Sequence, residues 1–471
     1  MRKGIILLAI SLLFSVTQVV ASVRCSDEVF LRRVYLTVTG ALPTPQQAVE
    51  FIEDQSSDKR EVLIDKLLQS ELGLKYMQMR WGDILRIKSE FPSNLWPNGV
   101  QAYNRWIYEQ LMNNVPYDKM VRSLLLSTGS NFRSPAANFY RGFQTRNSKN
   151  IYDNINLLFL GNRECYDNGN ICFSQIKYKS TKEWKEEIIY LDIHKRAPYN
   201  QIELGDDTTF YLRQDSDWRE PYVMWLTSPK NRRFAEVMVN RMWFWVFGKG
   251  IVHEPDDWRD DNPPSDPELL KELTDYFLAQ NFDMRAMMKR ILLSDKFNSK
   301  AAPEGDYTPQ RLPAEVIVDA MASVTNIWST YTSRVPEPFT FYPPRTRSTH
   351  LGDATVSSSE LELFGKVSRD VSLESQRNNA ITSRQLLYLM NSSALENRIR
   401  KSPTLQKIYI QSANIEQLAD NITLLTLSRR ATAAEVEMYR QYMEQNQLPM
   451  MEVAVDIMWM QINSNEFLYN H

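Results

Sequence analysis

Asn231-Arg232-Arg233-Phe234-Ala235-Glu236-Val237-Met238-Val239-Asn240-Arg241-Met242-Trp243-Phe244-Trp245-Val246-Phe247-Gly248 is the stretch on which the fold turns. Its apolar residues fall on several sides of a 3.6-residue period, so it reads as a buried central helix over 231–247 that stops at Gly248, a good C-terminal cap. A helix buried on all sides needs other helices around it, and this predicts a mainly α protein. Asn240 and Arg241 then lie inside a core, where an unpaired polar group costs on the order of 1–3 kcal/mol. Both must find partners.

Directly downstream runs Pro255-Asp256-Asp257-Trp258-Arg259-Asp260-Asp261-Asn262-Pro263-Pro264, the densest polar run in the chain. Its four carboxylates suit hard-oxygen coordination of calcium, or a pair acting as acid and base. The loop lacks the glycine and terminal glutamate of a calcium loop. The alternative is structural, with Asp256 and Asp257 pairing with Arg241 or Arg259. Trp243, Trp245 and Trp258 beside these acids offer the flat apolar faces a sugar site needs, although aromatics at helical spacing commonly fill a core.

Helical patterns extend outward on both sides. Thr44-Pro45-Gln46-Gln47 joins a capping hydroxyl, a proline at the first helical position and a glutamine that reaches back. Further helices are expected from about Asp58, through Tyr76 to Ile87, Ala102 to Met112 and Tyr117 to Leu125. Between Glu164 and Asp217 the helical period fades. Alternation at Ile189, Leu191 and Ile193 suggests strand, and Gln201 to Leu204 and Thr208 to Leu212 flank Gly205-Asp206-Asp207 as in a small hairpin. Ser265-Asp266-Pro267-Glu268 reads as a capping box launching the next helix. Helices follow from Asp283 and Pro313, then near Ser383 to Leu389, Ile415 to Leu427, Thr432 to Gln445 and Met451 to Ile462. The stretch from Trp328 to Glu360 is proline-rich and unperiodic. Its Phe339, Phe341, Tyr342, Arg345, Arg347 and His350 form either a lid packed on the bundle or a ligand or partner surface.

The first residues look like an export signal. Arg2 and Lys3 precede an uncharged run from Gly4 to Ala21, and Val19-Val20-Ala21 supplies a small-residue cleavage site. Cleavage there gives a mature start at Ser22. Arg24 before Cys25 is a poor fit to lipidation. The net charge of −2 gives no global pull toward nucleic acid or anionic lipid. No phosphate loop, nucleophile elbow, zinc helix or haem-attachment motif is present, and the four histidines are widely spaced. Cys165 and Cys172 are close enough in sequence to bridge.

Several motifs carry a family resemblance. Phe30-Leu31-Arg32-Arg33-Val34-Tyr35-Leu36, Thr39-Gly40 and Pro43-Thr44-Pro45 resemble the start of DUF1549, an N-terminal domain of unknown function in cytochrome-c-associated secreted proteins of Planctomycetes and related bacteria. Trp225 to Pro229, Val239 to Trp243, Phe247 to Val252, Asn262 to Ser265, Arg311 to Glu315 and the closing Asn463 to His471 resemble its C-terminal partner, DUF1553. The family brings no established activity. Members often carry a Cys-x-x-Cys-His haem motif after Phe-Leu-Gly. Here Phe159-Leu160-Gly161 and Glu164-Cys165 match, but no second cysteine or histidine follows at the required spacing, so the expectation is no cofactor and no covalent haem. The resemblance further implies a setting near sulfatase-like proteins and polysaccharide-degrading systems.

The expected organisation is a signal peptide (1–21), an N-terminal helical domain (22–163), a variable insert with a hairpin (164–217) and a C-terminal helical domain (218–471). For function, the leading expectation is a non-catalytic binding or accessory protein of a periplasmic or cell-surface system, glycan-related. Its ligand-binding candidates are Asn240, Arg241, Trp258, Arg259 and Arg311. The alternative is a hydrolase for a sugar or anionic substrate using Asp256, Asp257 or Glu315. A third reading is a degenerate haem or redox protein, against which the broken motif argues. No nucleic acid, no metal and no transmembrane segment after signal cleavage are expected.

Overall fold

The computed structural model describes residues 23–89, 97–162, 168–181, 186–198, 200–203, 209–333 and 341–471. The expected signal segment, the 205–207 turn, Phe339 and Cys165 lie outside these residues. The described chain is mainly α-helical, with short antiparallel strand pairs.

The central helix spans Arg232–Phe247 and buries residues on every side, Asn240 and Arg241 among them. It ends at Gly248 in the left-handed region (φ 64°), where glycine carries no Cβ penalty. Capping boxes at Thr44 and Thr432 form as their sequences predict, and each satisfies amides that the first turn leaves open. The Ser265 box does not. Pro267 is the first helical residue of Pro267–Ala279, so the cap must directly precede it, and Asp266 accepts from the Leu269 N–H (2.9 Å). Ser265 instead donates its hydroxyl to the Ile251 carbonyl (2.9 Å).

The helix Asp27–Thr39 ties the chain's two ends together. It is buried nearly all round, arginines included. Arg32 donates to the carbonyls of Thr426 (2.9 Å) and Phe467 (3.0 Å). Arg33 donates to those of Ser299 (2.8 Å) and His471 (3.0 Å), and its guanidinium lies 3.7 Å from the centre of the Tyr307 ring. The Leu-Arg-Arg motif is thus a clamp on the C-terminal segment, where Tyr469–Asn470 pairs antiparallel with Gln310–Arg311.

Within the insert, Glu187–Leu191 is the centre of a three-stranded antiparallel sheet, flanked by Ile176–Ser180 and by Gly129–Ser130 from the helical region before it. Gln201–Glu203 and Thr209–Tyr211 form the expected hairpin, with buried Ile202 opposite Phe210.

The apolar interior falls into two clusters whose divide lies near residues 307–312 and not at the insert. The first draws on residues from Cys25 to Tyr307, with Leu424. The second runs from Leu312 to Leu468 and borrows Leu36, Leu42, Tyr76 and Met79. The central helix causes this, because an all-round apolar surface must be covered by Ser148–Leu160 as well as by Pro267–Ala279 and Met284–Leu292. No described helix is long and apolar enough to cross a membrane.

Candidate functional site

The acid-rich turn splits into a buried half and an exposed half. Asp256 is buried and meets the Arg241 guanidinium at 3.3 Å, and Arg241 also donates to the Leu158 carbonyl (3.1 Å). Glu374 closes the knot from the far side. Its carboxylate lies 3.5 Å from Arg241 Nε and accepts from the Trp245 indole (2.7 Å), while its own backbone N–H donates to Asp256 (2.6 Å). Burial pushes Glu374 up to about 7 despite Arg241 beside it. Asp257, by contrast, pairs with Arg259, whose side chain is 62% exposed. Asp260 and Asp261 face solvent.

A second buried knot holds Glu315. Arg377 bridges Glu315 (2.8 Å) and Asp83 (2.7 Å), and Arg369 meets Asp83 from the other side (2.9 Å). All four side chains are at most 8% exposed. Burial alone would raise both carboxyls, but Arg377 holds each below its ordinary value, helped at Asp83 by Arg369. Arg369 donates further to the carbonyls of Ile87 (3.2 Å) and Gly352 (3.1 Å). Residues 369–377 therefore form a strap that carries Arg369, Glu374 and Arg377 into the seam between the N-terminal helices and the rest.

The ligand-binding candidates do not meet at one place. Asn240 clamps the loop after the central helix, donating to the Val252 carbonyl (2.9 Å) and accepting from the Val252 N–H (3.0 Å). Trp258 is buried with its indole on the Pro255 carbonyl (2.9 Å), against Gly161 and beneath the Arg233 guanidinium (4.8 Å). Arg311 is buried elsewhere, over the Phe364 ring at 5.7 Å and donating to the Phe364 carbonyl at 3.3 Å. The three tryptophans also diverge, since Trp245 binds Glu374 whereas Trp243 lines a separate cleft. That cleft, about 770 Å3, lies beside Gly248-Lys249-Gly250, with acids and bases mixed along its rim. Cys172 is buried.

A cleft of about 360 Å3 draws on both halves of the chain. Lys75 and Gln78 from the helix Glu71–Ile84, with Gln101, Asn104, Arg105 and Tyr108 from Pro97–Met112, line one wall. Phe341, Tyr342, His350, Gly352 and Asp353 line the other. The loop is seated by backbone bonds: Ala354 N–H donates to the Ile87 carbonyl (3.2 Å), and Ser89 N–H to Asp353 (3.1 Å). At Gly352 a Cβ would lie 2.3 Å from the Asn104 amide nitrogen, so a larger residue there would push that side chain aside. Phe341 is 59% exposed, and the Lys75 ammonium sits 4.3 Å from the centre of the Tyr108 ring. His350 is held neutral, its pKa lowered to about 4 by burial and by Arg347 and Lys75.

Of the proline-rich residues, Phe341, Tyr342 and His350 thus reach the cleft, while Arg347 lies over the Trp328 ring at 5.2 Å. Sequence reasoning missed the facing wall. Gln101, Asn104, Arg105 and Tyr108 recur at three, four and seven residues, a polar stripe of the kind any solvated helix presents. Its one distinguishing signal is the tyrosine within it. No group of three His, Cys, Asp or Glu side chains among the described residues is arranged to hold a metal ion.

Comparison with known families matches residues 12–158 to a protein of unknown function (DUF1549) and residues 218–443 to a protein of unknown function (DUF1553). No curated protein and no solved structure matches.

Proposed function

Because this chain carries a DUF1549 domain followed by a DUF1553 domain, we propose that its function resides in the cleft the two build together: it is an exported, non-catalytic protein that binds a glycan there. The observation that carries this reading is the wall composition. The rings of Tyr108 and Phe341 line it together with the amides of Gln101 and Asn104 and the charges of Lys75 and Arg105, the mix of apolar ring and hydrogen-bonding edge that a sugar demands. Helix and loop fix the wall from both sides, so the site needs both domains.

The carboxylates nominated for hydrolysis argue for binding over catalysis. Asp256 is engaged by Arg241, Glu315 by Arg377 and Asp257 by Arg259. An acid or base must be within reach of substrate and able to exchange a proton, and two of these groups are buried in ion pairs away from the cleft. The lack of a second cysteine and a histidine at haem-attachment spacing after Cys165 supports a protein without covalent haem. Arg2, Lys3 and the uncharged run to Ala21 support export to the periplasm or cell surface, where a sulfatase-like or polysaccharide-degrading system would be the partner.

An oligosaccharide array followed by titration calorimetry tests the reading. Phe341→Ala should weaken binding about tenfold, or ~1.4 kcal/mol, and leave the melting temperature unchanged because the ring is exposed. An array without a single binder, or a Phe341→Ala protein that binds like the wild type, would refute it.

A further inference from the structure

Several buried cations in this protein have close partners. Arg241, Arg369 and Arg377 meet carboxylates, and Arg32 and Arg33 meet backbone carbonyls at close range. The cations of the cleft between the domains stand nearer the surface. Half-buried Lys75 and exposed Arg105 both line it; burial lowers the Lys75 ammonium's pKa, Glu71 on the same helix opposes that shift and Arg105 adds to it. The one carboxylate in the lining, Asp353, is already engaged by the backbone N–H groups of Ser89 (3.1 Å) and Thr355 (2.9 Å). On the same wall the His350 Nε2 is buried without a hydrogen-bond partner. Two cations thus line the cleft against one carboxylate that is already engaged, so an anion entering it meets net positive charge and donors still free to bond.

We infer that the ligand of this cleft is an acidic sugar, whose carboxylate or sulfate ester lies between Lys75 and Arg105 while its ring stacks on Phe341. The inference rests on the glycan reading above and narrows it to anionic ligands. Arg105 offers the planar fork that matches either oxyanion, and Lys75, braced on the Tyr108 ring, adds a point charge. His350, neutral above pH 5, is placed to make an uncharged hydrogen bond to a sugar hydroxyl.

The test uses the full mature chain with three sets of arrayed oligosaccharides: galacturonate-bearing, sulfate-ester-bearing galactan, and uncharged dextran. Binding should be confined to the acidic sets, weaken as salt rises from 50 to 300 mM on the order expected for charge-assisted recognition, and fall by about tenfold or more in Lys75→Met and in Arg105→Gln. Lys249→Met, outside the cleft, should bind as the wild type does. Preference for one acidic set over the other identifies carboxylate or sulfate as the anion. Equal binding of dextran, or full binding by the Lys75→Met/Arg105→Gln protein, would overturn the acidic assignment and leave the glycan reading standing. Failure of all three sets to bind the wild type would remove both.

Discussion

Replacing Arg377 by methionine is the perturbation from which most can be learned. The guanidinium is the cation that Glu315 pairs with among the described residues, and it shares Asp83 with Arg369. Arg377→Met keeps the stem's volume and removes the charge, so Glu315 is left buried and uncompensated while Asp83 keeps one partner. Breaking a buried pair from one side costs about 3–5 kcal/mol. At roughly 2–4 °C per kcal/mol for a domain of this class, the melting temperature should fall by about 10 °C. Guanidinium-induced unfolding at pH 7.5 measures the loss directly, with an unchanged slope indicating that the same surface is exposed.

The sign of the pH dependence gives an independent check. Asp83 and Glu315 are held below their unfolded values, so their stabilisation is complete above the unfolded carboxylate range near pH 4 and is lost as pH falls through the folded values. Arg377→Met should therefore blunt the wild type's loss of stability on the acid side. Adding Glu315→Gln to Arg377→Met should recover part of the deficit, because it removes the orphaned charge. A loss below about 1 kcal/mol for Arg377→Met, or a further loss on adding Glu315→Gln, would refute the knot as described.

Further outcomes follow from neighbouring groups. Glu374 is raised to about 7, so its effect on stability is least adverse below the unfolded value and grows worse as pH rises toward 7; Glu374→Gln should flatten that slope between pH 5 and 7 in a thermal-melt series. Asn240→Ala strips partners from both the Val252 N–H and carbonyl, which should cost about 1–3 kcal/mol per group by chemical denaturation. Gly250→Ala should be as damaging, since its Cβ would lie 2.2 Å from the Val252 carbonyl oxygen. Ligand titrations between pH 5.5 and 8 should give a constant affinity as far as His350 is concerned, because its pKa of about 4 keeps it neutral throughout.

Much of the fold is legible because its signals are local. Thr44, Thr432 and the Gly248 stop act within a few residues of the helices they delimit, and the apolar period of Arg232–Phe247 declares its own burial. Ser265 misled by resembling a cap one position too early, where the proline at 267 decides the register. The helices Ser148–Leu160, Arg219–Leu226 and Pro403–Gln411 carry a weaker signal; each is short or mixes polar residues into its apolar stripe. The knots are a different matter. Asp256 pairs with Arg241, only fifteen residues away in sequence and so within reach of a local reading. Asp83 and Arg377 are separated by 294 residues, and no period or motif couples positions that far apart. The same distance hides the cleft, whose walls come from residues 75–108 and 341–353. A polar stripe on one helix and aromatics in one loop are each ordinary until folding sets them face to face.

Hydrogen exchange of the full chain, with and without a saturating acidic oligosaccharide, tests the jointly built site most directly. The account predicts added protection in the helices Glu71–Ile84 and Pro97–Met112 together with the loop at residues 341–353, and none around Gly248 to Gly250. Protection confined to one domain, or centred on the glycine loop beside Trp243, would contradict it.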